Sequence, residues 1–243
     1  MTQILNLGCG RKTCNDPDVI NIDWSILLRL KKNRIWRPII PIVLKGERFD
    51  SFKSLPDNIV VHDLSKGIPF EPSSVDVVYH SHLLEHLDRH IAKRFALEVK
   101  RVLKPGGIHR IVVPDLEQCC KAYISHLSEC DENPNQANEH DSYIAEFLEQ
   151  SVRKEASGTS QQKRLRRFFE NIILGDARRR GETHQWMYDR INLKAMLINT
   201  GYNEVHIQNY NTSLIPKWNE YSLDIDKNSD PYKPGSLYVE AVK

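Results

Sequence analysis

Residues 4–10 constrain the fold more than any other stretch of this 243-residue chain, because a short apolar run stops there at Gly8 and Gly10. Such a run is typical of a buried strand that leads into a tight turn. Glycines in the turn let main-chain N–H groups approach a ligand with no Cβ in the way. A second apolar run, residues 19–22, ends at Asp23, whose carboxylate suits a ribose hydroxyl pair. The pattern predicts a nucleoside pocket at the carboxyl edge of a doubly wound α/β sheet.

The glycine turn lacks the features that bind phosphates. Thr13 stands where a dinucleotide-binding fingerprint has its third glycine, and Asp23 comes earlier than the acidic residue of that fingerprint. The Lys-Ser/Thr ending of a P-loop is missing as well. A glycine turn without a grip on pyrophosphate favours a ligand that carries no phosphate, and S-adenosylmethionine is such a ligand.

Five motifs in the same order resemble the class I S-adenosylmethionine-dependent methyltransferases, in particular a group that shares a Leu-Gly-Cys-Gly turn and a Leu-Glu-His-Leu segment. The resemblance covers residues 3–115 well and residues 183–205 more loosely. It implies a mostly parallel, Rossmann-like sheet of seven strands with an antiparallel last strand, and S-adenosyl-L-methionine as the cofactor. The motifs are residues 4–10, Asp23, and residues 61–64, 70–87 and 99–114.

The resemblance also assigns cofactor contacts. Asp63 would accept a hydrogen from the adenine amino group, although a helix or turn cap is the alternative role for its carboxylate. His80 and Ser81, which follow a predicted fourth strand at residues 73–79, would contact the methionine part. The expected cofactor-binding residues are Leu7, Gly8, Cys9, Gly10, Asp23, Trp24, His62, Asp63, Leu64, His80 and Ser81.

A hydroxyl acceptor needs a base, and three residues are candidates: His184, His82 and Asp115. His184 opens a His-x-Trp-Met-Tyr run that the resembling group carries beside the active-site mouth, and the unperturbed pKa of histidine suits proton removal near neutral pH. A structural role, as a cap or a core residue, is an equally weighted alternative for His184. We expect Glu85 and His86 only to orient their segment and to cap neighbouring backbone.

No metal site is expected. The five cysteines are odd in number and lack Cys-x-x-Cys spacing, which indicates reduced thiols, and the ten histidines form no His-Glu-x-x-His pattern. The first strand follows Met1 so closely that no signal peptide fits, and no apolar run is long enough to span a bilayer. These features predict a cytoplasmic protein.

The chain suits one domain, residues 1–243, with helical insertions at about 24–58 and 116–182. Residues 26–49 mix apolar and basic side chains, which would suit a lid or a peripheral contact with a membrane; we favour a helix packed on the domain. The arginines and lysines within residues 163–180 fit either a solvated helix face or a grip on an anionic acceptor. Sparse aromatic residues near them argue against RNA.

Other signals predict element boundaries. Apolar spacing predicts a helix at residues 89–103 that stops at residues 104–107, followed by a strand at 108–113. Asp189 reads as a helix N-cap and Gly201 as a C-terminal stop. Strands are predicted at residues 204–209 and 237–242, and the long link between them, residues 212–234, is expected to wrap the surface.

The resemblance implies methyl transfer to a small-molecule acceptor, such as a sugar hydroxyl. Two other functions stay open: a catalytically silent methyltransferase-like binding module, and an RNA methyltransferase. The RNA function is weakened because Pro114-Asp115-Leu116 replaces the Asn/Asp-Pro-Pro-Tyr/Phe signature of amino methylation, and because a net charge of +2 requires no nucleic acid partner. The oligomeric state stays open.

Overall fold

The computed structural model describes residues 2–32, 52–53, 55–150 and 183–243. Within them, short 3-10 turns at Leu64–Lys66, Leu84–His86, Pro134–Glu139 and Trp218–Tyr221 connect longer elements. In chain order, the strands and α-helices are β1 (Ile4–Leu7), β2 (Val19–Asp23), α1 (Ile26–Lys32), β3 (Ile59–Val61), β4 (Val75–Ser81), α2 (Arg89–Val102), β5 (Leu103–Pro114), α3 (Leu116–Glu132), α4 (His140–Gln150), α5 (Arg190–Asn199), β6 (Glu204–Gln208) and β7 (Ser236–Val242).

The seven strands form one sheet in the order β3-β2-β1-β4-β5-β7-β6. The pairs β1–β2, β1–β4, β2–β3 and β4–β5 are parallel, whereas β7 runs antiparallel to both β5 and β6. The predicted α/β fold, with a mostly parallel seven-stranded sheet and an antiparallel last strand, is confirmed. The strand order reverses between β1 and β4, so a crevice opens at the carboxyl ends of these two strands.

The two faces of the sheet are covered differently. Helices α2 and α5 pack on one face, where residues such as Ala96, Val99 and Leu197 are fully buried. The opposite face is covered by the link between β6 and β7, whose Ile215 and Trp218 are buried against the sheet. The prediction that this link wraps the surface is therefore wrong for these residues, because their apolar side chains complete the core.

The first insertion packs on the domain where the structure describes it. Leu28 of α1 is fully buried beside Cys9 and Ile59, and Lys31 forms an ion pair with Asp57 at 2.9 Å. The packed-helix interpretation holds for this part. Most of the stretch at 26–49, and with it the predicted lid or membrane contact, lies outside the described residues. None of the described helices is both long and apolar enough to cross a bilayer.

The second insertion begins with α3 and α4, which pack against each other through stacked rings of His126 and Tyr143, 4.0 Å between centroids. The basic clusters within residues 163–180 lie outside the described residues, so the two interpretations of their role stay predictions.

Several predicted boundaries move by a few residues. Strand β4 continues to Ser81, two residues beyond its predicted end, and β5 begins at Leu103, directly where α2 stops. The cap on α5 is as predicted, since Asp189 accepts hydrogen bonds from the first turn of the helix. Gly201 follows that helix with φ of +87°, which fits its predicted role as a C-terminal stop.

Candidate active site

The glycine turn after β1 has the backbone that its sequence predicts. Gly8 and Gly10 have φ of +62° and +54°, in the left-handed region that favours glycine. A Cβ placed on Gly8 would lie 3.1 Å from Leu83 Cδ1. The turn therefore needs glycine at residue 8 both for its conformation and for the close approach of the segment after β4.

The amides of this turn are occupied by the protein itself. The N–H groups of Gly8 and Cys9 donate to the carbonyl of Ile22, and Gly10 N–H donates to Asp23 Oδ2 at 2.8 Å. The expectation that these three amides hold a nucleoside is corrected accordingly. Glycine here provides room, and the Asp23 carboxylate ties the turn to the end of β2.

A cleft of about 190 Å³ opens over the turn. Five of the residues expected to contact cofactor or acceptor line this cleft: Gly8, Cys9, Gly10, Ser81 and His82. The other lining residues are Asn6, Arg11, Lys12, Tyr79, Tyr232 and Lys233.

Tyr232 and Lys233 come from the link before β7, and sequence reasoning missed them. Lys12 holds this part of the link against the glycine turn. Its Nζ lies 4.3 Å from the centroid of the Tyr232 ring and donates a hydrogen bond to the carbonyl of Ile225 at 2.6 Å. No motif marks these residues, because they approach the glycine turn only through the fold.

The expected cofactor contacts of His80 and Leu7 are wrong for their side chains. Both side chains are fully buried, Leu7 in the core and His80 against Phe95 of α2. His80 is buried because β4 extends to Ser81. Side chains alternate along a strand, so Ser81 faces the cleft and His80 faces the opposite side. We therefore leave both side chains out of the proposed cofactor site.

The expected adenine-binding residues lie beyond β2, outside the lining of the cleft. Asp63 caps the turn Leu64–Lys66, where Oδ1 accepts from the N–H and hydroxyl of Ser65, so the alternative interpretation as a cap is observed. His62 Nε2 is 2.9 Å from the carbonyl of Gly67. Trp24 is exposed and carries the guanidinium of Arg29 over its ring. An adenine contact by these residues stays a prediction.

His82 lines the cleft and has an unusual backbone for a non-glycine residue, with φ of +50°. Its Nε2 lies 2.9 Å from Ser236 Oγ and its Nδ1 3.3 Å from Glu85 Oε1. Burial, with smaller effects of Lys233, His184 and His86, lowers the pKa of His82 to about 3. A histidine held neutral in this way is a weak proton acceptor, which argues against His82 as the base.

Glu85 is the residue whose importance the sequence analysis underestimated. Its side chain is 1% exposed, and burial raises the pKa of its carboxyl group to about 8. His86 Nε2 lies 3.9 Å from Glu85 Oε1. Rather than capping backbone, the Glu85 carboxyl group faces the histidines around it.

Backbone hydrogen bonds bring His184 to the same place. The carbonyl of Glu85 accepts from the N–H groups of Gln185 and Trp186, and Tyr188 pairs with Asp115 in a parallel β-bridge. The rings of His184 and His86 meet edge to face, with centroids 5.0 Å apart. A second, smaller cavity is lined by Glu85, Pro114, His184, Trp186, Met187 and Tyr188.

Asp115 has a different position from the one expected of a base. Its carboxylate is the N-cap of α3 and accepts from Glu117 N–H at 3.0 Å. It lines neither of the two cavities described above. Of the three candidate bases, His82 and His184 each line a cavity and lie beside the buried Glu85, whereas Asp115 does neither.

A family model described as a methyltransferase domain matches residues 44–111, which include β3, β4, α2 and part of β5. No curated protein matches the sequence. Among solved structures, a SAM-dependent methyltransferase from Archaeoglobus fulgidus is 14% identical over 100% of this chain and 86% of its own, with a TM-score of 0.46.

A second solved structure, a S-adenosylmethionine-dependent methyltransferase from Mesorhizobium loti, is 16% identical over 99% of this chain and 90% of its own, with a TM-score of 0.42. A putative O-methyltransferase from Nostoc punctiforme is 10% identical over 100% and 52%, with a TM-score of 0.45. At these scores the structural similarities carry no argument about the acceptor.

Proposed function

We propose that the chain is an S-adenosylmethionine-dependent methyltransferase and that it methylates a hydroxyl group of a small-molecule acceptor, such as a sugar or a related metabolite; the methyltransferase-domain match and the sheet topology support this proposal. One observation carries the proposal. His82 lines the cleft over the glycine turn, and its Nδ1 lies 3.3 Å from Oε1 of the buried Glu85. A cofactor in the cleft would therefore lie close to carboxyl and imidazole groups that can handle a hydroxyl proton.

The reaction forms one bond as another breaks. The acceptor oxygen attacks the methyl carbon of the sulfonium, the carbon–sulfur bond breaks, and its electron pair stays on sulfur to leave S-adenosylhomocysteine. The enzyme contributes mainly by holding the oxygen and the methyl group in line at attack distance. We assign Gly8, Gly10, Asp23 and Ser81 to positioning the cofactor.

The hydroxyl proton must leave as the new bond forms. We assign its removal to His184, which lines the second cavity and lies beside Glu85. His82 is excluded by its lowered pKa and Asp115 by its capping role.

In the experiment, the protein is incubated with S-adenosylmethionine labelled in its methyl group and with either a small-molecule fraction or RNA. Each incubation is carried out with and without RNase. We expect label in a base-stable ether of the small-molecule fraction. His184→Gln should lower the rate about 10²–10⁴-fold, the usual contribution of a general base, while S-adenosylhomocysteine binds as before. Asp23→Ala should weaken S-adenosylhomocysteine binding about tenfold or more. The variant lacks the hydrogen bond expected between the Asp23 carboxylate and a ribose hydroxyl, and a hydrogen bond to a charged group contributes roughly 1.5–3 kcal/mol.

His206→Gln is the matched control, because His206 lies exposed on β6 with Glu204 as its partner at 2.9 Å. Label in the RNase-sensitive fraction would replace the proposal with the RNA methyltransferase. Cofactor binding with no labelled product in any fraction would favour the silent binding module. An anionic acceptor, a cytoplasmic location and a peripheral membrane contact stay predictions.

A further inference from the structure

Glu85, His86 and His184 bring one carboxyl group and two imidazoles together beside the cofactor cleft. Within the described part of the chain, ligand atoms from these three side chains lie within 4.8 Å of one another. Two imidazoles and one carboxylate are a donor set that binds zinc and other divalent first-row transition metals. The three residues are therefore a candidate metal site by composition and by distance.

The hydrogen bonding of His86 prepares one nitrogen for a ligand role. Its Nδ1 lies 3.3 Å from the carbonyl oxygen of Thr183, and because a carbonyl only accepts, Nδ1 carries the ring proton. The Nε2 atom of the neutral ring then presents a lone pair, and this atom is the one that lies 3.9 Å from Glu85 Oε1. A carbonyl that holds the far nitrogen is the usual way in which proteins orient a metal-binding histidine.

The Glu85 carboxyl group lacks the partners that such burial demands. Neither of its oxygens accepts a hydrogen bond from the described residues, although the side chain is 1% exposed. His82 Nδ1 approaches to 3.3 Å without hydrogen-bond geometry, and the charge of Lys233 does not offset burial. An unpaired buried carboxylate is unfavourable, whereas a bound cation would neutralise its charge.

We propose that Glu85, His86 and His184 bind one divalent transition-metal ion, such as Zn²⁺ or Mn²⁺, at the second cavity, which Glu85 and His184 line. Metal–ligand distances of about 2.0–2.2 Å require the three side chains to draw roughly 1 Å closer around the ion. Three protein ligands leave at least one coordination position for a water molecule or an acceptor oxygen. This site escapes notice in the sequence because His86 and His184 lie 98 positions apart, so no short motif contains both.

The role of the ion rests on the proposed function. A divalent ion that binds the acceptor oxygen makes the hydroxyl more acidic, so that its proton passes to solvent as the methyl carbon is attacked. His184 would then hold the ion, in place of the direct proton removal assigned to it above. Under this assignment His184→Gln lowers both metal affinity and methyl transfer, whereas a simple general base would affect methyl transfer alone.

A second histidine group gives the experiment its internal comparison. His126, Cys130 and His140 join α3 to α4, with the two Nδ1 atoms 3.0 Å apart and Cys130 Sγ 3.5 Å from His126 Nδ1. This second group lies outside both cavities, and a metal ion bound there would have the thiolate of Cys130 as one of its ligands.

The experiment uses the full chain in the Cys130→Ser background, stripped of metal with a chelator and titrated with Zn²⁺, Mn²⁺, Co²⁺ and Mg²⁺ in the absence of cofactor and acceptor. We expect one equivalent of metal by calorimetry and elemental analysis, and a cobalt spectrum without a thiolate charge-transfer band. Glu85→Gln and His86→Gln should each weaken binding at least tenfold, while His206→Gln should leave it unchanged.

Three results would overturn the proposal: no stoichiometric metal in the Cys130→Ser background, binding that both Glu85→Gln and His86→Gln leave intact, or binding of Mg²⁺ alone. Circular dichroism shows whether each variant is folded, and two independent ligand variants keep the result decisive if one of them unfolds. Since the titration involves no methyl transfer, its failure leaves the proposed function standing. Full methyl transfer in the presence of chelator would remove the catalytic role but not the metal site.

Discussion

At the scale of single residues, His80 and His109 form a buried pair whose protons can be assigned from their partners. The Tyr202 hydroxyl donates to the carbonyl of Ala96, so it accepts from His109 Nδ1, which lies 2.9 Å away. His109 Nε2 is then an acceptor for His80 Nε2 at 2.9 Å, and His80 Nδ1 is left as a buried acceptor without a partner among the described residues. This arrangement requires both rings to be neutral.

The pair predicts a loss of stability in acid. Burial lowers the pKa of His80 to about 3, and burial together with His80 lowers that of His109 well below its usual value. In the unfolded chain both rings take up protons below about pH 6.5, so the unfolded state binds more protons and the free energy of unfolding falls as the pH drops. Each histidine contributes a slope of up to about 1.4 kcal/mol per pH unit.

We therefore expect chemical denaturation between pH 7 and pH 5 to show a steeper fall for the wild type than for His80→Leu. Equal slopes in the two proteins would mean that His80 is protonated in the folded state, contrary to the assignment above. Histidines elsewhere contribute equally to both proteins and cancel in the comparison.

At the scale of elements, the N-terminus of α5 positions the segment that carries His184. Asp189 Oδ1 accepts from the N–H groups of Ile191 and Asn192, both at 2.8 Å, and Asn192 Oδ1 accepts from Asp189 N–H at 3.2 Å. This reciprocal capping box satisfies donors that the first turn of a helix leaves unpaired. Because residues 183–188 lead directly into it, the cap also fixes where that segment ends.

We expect Asp189→Ala to lower the free energy of unfolding by about 1 kcal/mol, the usual effect of losing an N-cap. For a chain of this length the melting temperature should fall by roughly 2–4 °C. Asp189→Asn is the matched control, since asparagine caps nearly as well and should keep most of the stability. Equal losses in the two variants, measured by calorimetry, would indicate that the negative charge matters and the cap does not.

At the scale of the whole molecule, Arg110 connects the sheet to the link that covers it. Its guanidinium is fully buried and donates to Asp224 Oδ2 and to Glu240 Oε1, each at 2.6 Å. The same Asp224 accepts from the Tyr79 hydroxyl at 2.8 Å and from the Trp218 indole at 2.7 Å. One ion network thus holds β4, β5, β7 and the link that supplies the far wall of the cleft.

Arg110→Met should lower the free energy of unfolding by about 3–5 kcal/mol, because it leaves two buried carboxylates without their cation. The melting temperature should fall by roughly 6–20 °C. Lys121→Met is the comparison, since its ion pair with Glu117 is exposed to solvent and should contribute little to stability. A loss below 1 kcal/mol for Arg110→Met would show that the network does not stabilise the fold.

Short sequence patterns predicted the structural features that depend only on neighbouring residues. The glycine turn, the carboxylate of Asp23 after β2 and the cap at Asp189 were predictable, because each depends on backbone conformation or hydrogen bonds within a few residues. The same signals predicted the strands and helices whose apolar spacing is regular. Boundaries were less certain, and the two extra residues of β4 were enough to turn His80 away from the cleft.

Local patterns predicted the α/β fold and the glycine turn, and the order of the motifs indicated S-adenosylmethionine as the cofactor. Packing between distant segments was needed to show that Tyr232 and Lys233 line the cleft, that Arg110 is buried among carboxylates, and that His184 lies beside Glu85 and His86. Such groups form when distant segments pack together, and the free energy that selects one packing is a sum over the whole core that no short stretch contains.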